Sequence, residues 1–315
     1  MPIRSLTALA ASLALFAALL APAAAQDKPK AVATFSILGD LVSQVGGDHV
    51  SVRSLVGPDA DAHGYNPTPE DARALAGAAI VFANGLGFEG WIERLIKASG
   101  TKAPVVTASD GIRTLPANPE HDHGHEPGHD HGHDHGGEAH ADPHAWQNVA
   151  NVKVYVARIR DGLAKADPAH AADYAANATA YLAKLDALNA EIRAAVAAIP
   201  ATQRRIITTH DSFGYFSEAY GLRFIAPQGI STDSEASPRD VARIVRQVRQ
   251  EKIPAVFLEN VADPRLMEQI ARESGARIGG RIYSDALSTK DGPAPTYLDM
   301  MRANLKAFRE ALGQS

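Results

Sequence analysis

Between Asp167 and Ile199 nothing interrupts a helix after Pro168, in a chain of 315 residues. The larger apolar side chains there, Tyr174, Tyr181, Leu185, Leu188, Ile192 and Val196, recur at spacings of three and four, with Ala178 filling the gap. That is one apolar stripe along a helix. A helix of about 30 residues is roughly 45 Å long at 1.5 Å per residue, and helices of that length are uncommon inside compact domains. The stretch is predicted to run as a stiff strut joining the segments on either side of it. The alternative is an ordinary surface helix within one lobe.

Both flanks of the strut repeat one pattern: short apolar, β-branched runs alternate with amphipathic stretches, as in parallel sheets covered by helices. Predicted strands are Ala31 to Ile37, Val50 to Val56, Ile80 to Ala83 and Val105 to Ala108 before it, and Arg205 to Thr209, Arg223 to Ile225, Ala255 to Glu259 and Arg277 to Ile282 after it. Predicted helices include Thr68 to Gly77, capped at Thr68 with Pro69 as first helical residue, and Trp91 to Ser99. Others start at Ser237-Pro238 and Asp263-Pro264. The expected fold is α/β, two lobes with parallel sheets: residues 26–166, then the linker helix 167–199, then residues 200–315.

Arg4 precedes an uncharged stretch from Leu6 to Leu20, followed by Ala21-Pro22-Ala23-Ala24-Ala25. This reads as a signal peptide, residues 1–25, cleaved after Ala25. A transmembrane anchor would need a similar apolar length, but Pro22 and the alanine-rich exit fit processing better. With no cysteine in the sequence, neither a disulfide nor a lipid anchor on an N-terminal cysteine is expected. A soluble, monomeric periplasmic protein is the expectation.

Residues His121 to His140 read HDHGHEPGHDHGHDHGGEAH. His121, His123, His125, His129, His131, His133, His135 and His140 are eight of the chain's 13 histidines. No apolar core can form from such a run, and so many imidazoles together suit transition metals. Residues 120–142 are expected to form a disordered loop with weak, accessory metal sites. The segment also holds seven acids and no Lys or Arg, which more than accounts for the mature chain's net negative charge. The rest is almost balanced, with no basic excess to suit nucleic acid.

A His-rich run fits a buffer, an importer, a chaperone or a metalloenzyme, so isolated histidines carry the finer argument. His63 sits in GPDADAHGYNPTPED, between a strand and the helix capped at Thr68; His144 sits in ADPHAWQN, before a helix starting near Val149; His210 ends RRIITTH. Each occupies a strand end or helix entrance, where α/β folds place binding groups. His49 and His170 have no such context and are expected to be solvent-exposed.

The segments GPDADAHGYNPTPED, NGLGFEGW, DPHAWQN, THDSFGYFSEAYGL and IYSDALS, in this order across the mature chain, resemble the zinc-binding (AztC/ZnuA-type) members of the cluster A-I, metal-specific ABC-transporter solute-binding proteins. The resemblance implies two α/β lobes joined by a long backbone helix, with Zn²⁺ held between them by His63, His144, His210 and Asp285, two ligands per lobe. It also implies delivery to a cognate membrane permease with a separate ATPase, and leaves room for a periplasmic zinc donor. Manganese-selective relatives tend to carry a carboxylate where His210 stands. Two features depart from some zinc members: Ala62 stands where an acid can precede the first ligand, and no disulfide can form in the second lobe.

Glu259, at the end of AVFLEN, is a candidate to orient a ligand from behind; a salt-bridged or solvated loop carboxylate is the alternative. Asp211 or Ser212 is expected to cap the next helix. A Mn²⁺ or Fe²⁺ carrier of the same fold and a zinc storage protein are the other functions considered. A zinc hydrolase would need an open coordination position and a base; H-E-x-x-H is absent and Asp285 closes the set, so no enzyme activity is expected.

Overall fold

A computed structural model describes residues 28–117, 141–233 and 235–313. The expected signal peptide and the eight histidines from His121 to His140 lie outside the described residues. Among the described residues, no helix is long and apolar enough to cross a membrane.

Two four-stranded sheets form, and each is wholly parallel. The first contains β1 (Lys30–Phe35), β2 (Ser51–Val56), β3 (Ile80–Ala83) and β4 (Val105–Thr107) in the order β2-β1-β3-β4. The second contains β5 (Arg205–Ile207), β6 (Arg223–Ile225), β7 (Ala255–Glu259) and β8 (Arg277–Ile282) in the equivalent order β6-β5-β7-β8. In both, the chain reverses direction across the sheet after its second strand, leaving a crevice at the carboxyl ends of the two central strands. Open parallel sheets bind ligands there.

Helices α1 (Ser36–Gly46), α2 (Pro69–Ala76), α3 (Ile92–Ser99) and α4 (Val149–Ala166) belong to the first half, α5 (Ala171–Ala197) to the middle, and α6 (Gly214–Tyr220), α7 (Pro238–Glu251), α8 (Arg265–Ser274) and α9 (Tyr297–Leu312) to the second half. Thr68 and Asp71 form a reciprocal capping box at α2, with Pro69 in the first turn. β1 ends two residues before Ile37, where a strand was expected to end, because α1 begins at Ser36. The whole segment is buried, and an apolar run without periodicity does not distinguish a covered strand from a buried helix.

The strut is α5, 27 residues preceded by a 3₁₀ turn at Pro168–His170, hence about 40 Å long. Tyr174, Ala178, Tyr181, Leu185, Leu188, Ile192 and Val196 are its buried side chains. The rod packs against α1 and α4 of the first half and α6 and α9 of the second, so both lobes share it. Leu188 is fully buried; Leu188→Ala is expected to cost about 2–5 kcal/mol in chemical denaturation of the metal-free protein.

At the start of the rod, His49 and His170, expected to be solvent-exposed, are partly so, with side chains 36% and 34% exposed, and their rings stack with centroids 4.0 Å apart. His49 Nε2 lies 3.3 Å from Asp173 and His170 Nδ1 2.7 Å from Asp167. The chain folds a turn of the first lobe onto the helix start, a contact that no local pattern encodes.

Candidate metal centre

His63 lies in the loop from β2 to α2. Asp61 Oδ1 accepts its backbone N–H at 2.9 Å, an Asx turn, while Asp61 Oδ2 accepts from Thr232 Oγ1 at 2.6 Å. Trp91 Nε1 donates to the Ala62 carbonyl at 2.8 Å, and Phe88 packs edge-on against the His63 ring at 4.7 Å.

His144 precedes a 3₁₀ turn, Ala145–Gln147, that leads into α4. Asp142 repeats the Asx turn, accepting the His144 N–H at 2.9 Å, and the same oxygen lies 2.8 Å from His144 Nδ1. The carboxylate thereby turns Nε2 toward the cleft, the usual device for aiming a histidine at a metal. Trp146 Nε1 and Gln147 Nε2 both donate to the Ser284 carbonyl at 2.8 Å, which ties this turn to the residue before Asp285.

His210 lies three residues beyond the end of β5. Glu259, the last residue of β7, accepts the backbone N–H groups of Thr209 and His210 through Oε1 at 2.6 and 3.1 Å, and its Oε2 lies 2.5 Å from His210 Nδ1. It is thus buried behind His210 and not a solvated loop carboxylate. Asp285 lies just beyond β8, and its loop is held by Asn304, which accepts from Tyr283 N at 2.8 Å, and by Ser36 Oγ, which accepts from Leu287 N at 3.0 Å.

These four elements bring His63, His144, His210 and Asp285 together, with one potential ligand atom from each inside 4.8 Å of all the others. His63 Nε2 is 3.2 Å from His144 Nε2, and Asp285 Oδ2 is 3.0 Å from His210 Nε2 and 3.6 Å from His63 Nε2. The side chains of His144, His210 and Asp285 are fully buried and that of His63 is 5% exposed. Despite these separations, both Asp285 oxygens and His210 Nε2 make no hydrogen bond. Buried polar atoms are rarely left so, and these lie among donor atoms gathered within 4.8 Å of one another, close enough to share one bound cation. Three imidazoles and a carboxylate around such a point suit a divalent transition metal.

Burial alone would push the His210 imidazole down, but the Glu259 and Asp285 carboxylates outweigh it and hold the ring well above its ordinary 6.5. Burial would push Asp285 up, and the His210 and His144 rings outweigh that in turn, holding its carboxyl well below the ordinary 3.8.

Three supporting residues were not singled out from sequence. Asp142 was grouped with the His-rich run by composition; it is buried and belongs to the site. The D-x-H spacing, present at both 61–63 and 142–144, is the signal that could have found it. Phe88 and Glu89 sit in NGLGFEGW, where Gly85, Leu86 and Gly87 all take positive φ. Glu89 holds this turn by accepting from Thr34 Oγ1 at 2.5 Å and from Asn84 N at 2.7 Å. The cap expected from Asp211 or Ser212 is absent: α6 starts at Gly214 with Phe213 before it and no side-chain cap.

Residues 31–311 match the family described as "Zinc-uptake complex component A periplasmic", ZnuA. The chain belongs to the ZnuA family. The iron-binding protein YfeA of Yersinia pestis is 33% identical over 294 residues, 93% of this chain and 89% of YfeA. The manganese-binding lipoprotein MntA of Halalkalibacterium halodurans is 36% identical over 285 residues, 90% of this chain and 89% of MntA. Among solved structures, the periplasmic zinc-binding protein TroA of Treponema pallidum shares the fold with a TM-score of 0.80 at 29% identity, over 90% of this chain and 99% of TroA. This ZnuA-family chain is a metal-binding, extracytoplasmic solute-binding protein of the ABC-importer type.

Proposed function

We propose that the protein captures Zn²⁺ in the periplasm with His63, His144, His210 and Asp285, and delivers it to a membrane permease driven by a separate ATPase. The observation that carries this reading is the donor set, three imidazoles to one carboxylate. Four-coordinate N/O sites of that composition favour zinc, whereas harder oxygen donors suit Mn²⁺. Asp142 and Glu259, each against a ligand's Nδ1, act as orienting carboxylates. The working form is a soluble monomer without its first 25 residues or a lipid anchor. Residues His121 to His140 serve as weaker accessory sites that raise zinc locally.

A Mn²⁺ or Fe²⁺ carrier is the second reading, supported by the names of YfeA and MntA. Transport decides between them, since zinc outcompetes Mn²⁺ and Fe²⁺ at most N/O sites whatever the cargo. Cells that depend on this protein and its permease are expected to accumulate zinc by elemental analysis, and the mature protein to retain one tightly bound zinc per chain; accumulation of manganese or iron instead would overturn the zinc reading. Deleting Glu120 to Glu138 is expected to lower total zinc but leave that one tight ion.

A further inference from the structure

We infer that Tyr215 is a positioning residue of the metal centre, acting on His144 through Asp142; the inference rests on the metal-binding reading of the cleft. Tyr215 lies on α6 in the second half of the chain, yet its hydroxyl bridges two segments of the first. It donates to the Asp142 carbonyl at 3.0 Å and accepts from Leu115 N at 3.1 Å. Asp142 N donates in turn to the Leu115 carbonyl at 2.8 Å, and Pro116 and Ala141 form an antiparallel bridge immediately beyond. One phenol therefore closes the neck at which the chain leaves and re-enters around residues 118–140.

The neck matters because Asp142 is its last residue and also the carboxylate against His144 Nδ1. The other side of Asp142 is fixed by close backbone approach: a Cβ added to Gly214 would stand 2.5 Å from Asp142 Oδ2, so only glycine leaves room for the carboxylate there. At the opposite end of the same helix, Tyr220 OH accepts from Val149 N at 3.2 Å. Helix α6 thus grips the segment carrying His144 at both ends, and Asp142 is set between the Tyr215 hydroxyl and the Gly214 backbone. Asp61, which forms the matching Asx turn before His63, is also held from the second half of the chain, by Thr232 Oγ1, but it meets His63 through the backbone N–H, whereas Asp142 also meets the ring of His144. His144 is the ligand whose ring direction is set from the partner lobe.

The test is a double-mutant cycle on the full mature protein, read as Zn²⁺ affinity against a chromophoric chelator and as the visible absorption of the Co²⁺ form. Tyr215→Phe is expected to weaken Zn²⁺ binding about tenfold and Asp142→Asn by about 10–100-fold, the range for groups that orient metal ligands. The Co²⁺ bands should shift in both variants, and adding Tyr215→Phe to Asp142→Asn should change affinity less than twofold further. Gly214→Ala presses on Asp142 from its other side and should weaken binding in the same direction, which keeps the inference testable if Tyr215→Phe folds poorly. Tyr215→Phe within twofold of wild type with unshifted Co²⁺ bands, or losses that multiply in the double variant, would overturn it. His144→Ala separates the two levels: wild-type affinity in that variant would sink the cleft reading itself, whereas a loss there beside an unaffected Tyr215→Phe removes only the positioning role.

Discussion

His210→Ala is expected to lower Zn²⁺ affinity of the cleft about a thousandfold, roughly 4 kcal/mol, measured by chelator competition on protein lacking Glu120 to Glu138 so that accessory sites do not mask the loss. Two effects combine. One of four donors disappears, and the two carboxylates that face the ring, Glu259 and Asp285, are left buried with no cation between them. Isolated buried charges of this kind are strongly destabilising, so the metal-free variant should also melt at lower temperature. His210→Asp should behave differently: the added oxygen donor should move preference toward Mn²⁺ while zinc still weakens. Wild-type affinity in His210→Ala would place the tight site elsewhere in the chain.

The second large effect is a proton. Because the carboxylates on either side hold the His210 ring well above 6.5, a metal entering the cleft near neutral pH should displace the ring's proton. Zinc binding is expected to release about one proton at neutral pH, seen as a dependence of calorimetric heat on the ionisation enthalpy of the buffer. Apparent affinity should then fall about tenfold per pH unit below the ring's raised value. Stability of the metal-free protein depends on the same groups with opposite limits. The His210 contribution is fully present below 6.5 and is lost as pH rises through its raised folded value. The Asp285 contribution is present above 3.8 and is lost as pH falls through its depressed folded value. The metal-free form should therefore be most resistant to denaturant in mildly acidic solution, where its zinc affinity is already declining. Binding heats that do not vary between buffers would sink this account.

Much of the architecture was legible because it is written locally. Ile80 to Ala83, Arg223 to Ile225 and Ala255 to Glu259 were bounded correctly as strands because each is a short apolar run between breakers. The stripe from Tyr174 to Val196 identified the rod because its period is that of a helix. The four residues assigned by resemblance are brought by the fold within 4.8 Å of one another. The features that stayed hidden depend on distant partners. Asp142 looks like one more acid in a charged run until Leu115, Gly214 and Tyr215 are seen around it. Helix α9 was missed, and its first residue donates across to Asp40 of α1 at 2.8 Å. His49 and His170, 121 positions apart in sequence, stack only because α1 ends where α5 begins.

The chain's two tryptophans both stand beside the cleft: the Trp91 indole is bonded to the carbonyl preceding His63, and the Trp146 ring is 5.3 Å from His144. With cysteine absent, no extrinsic label is as conveniently placed. Indole emission is sensitive to its immediate neighbours, so the protein carries an optical gauge of its own cleft. Filling and emptying of the cleft should therefore be readable in unmodified material as a change in that emission.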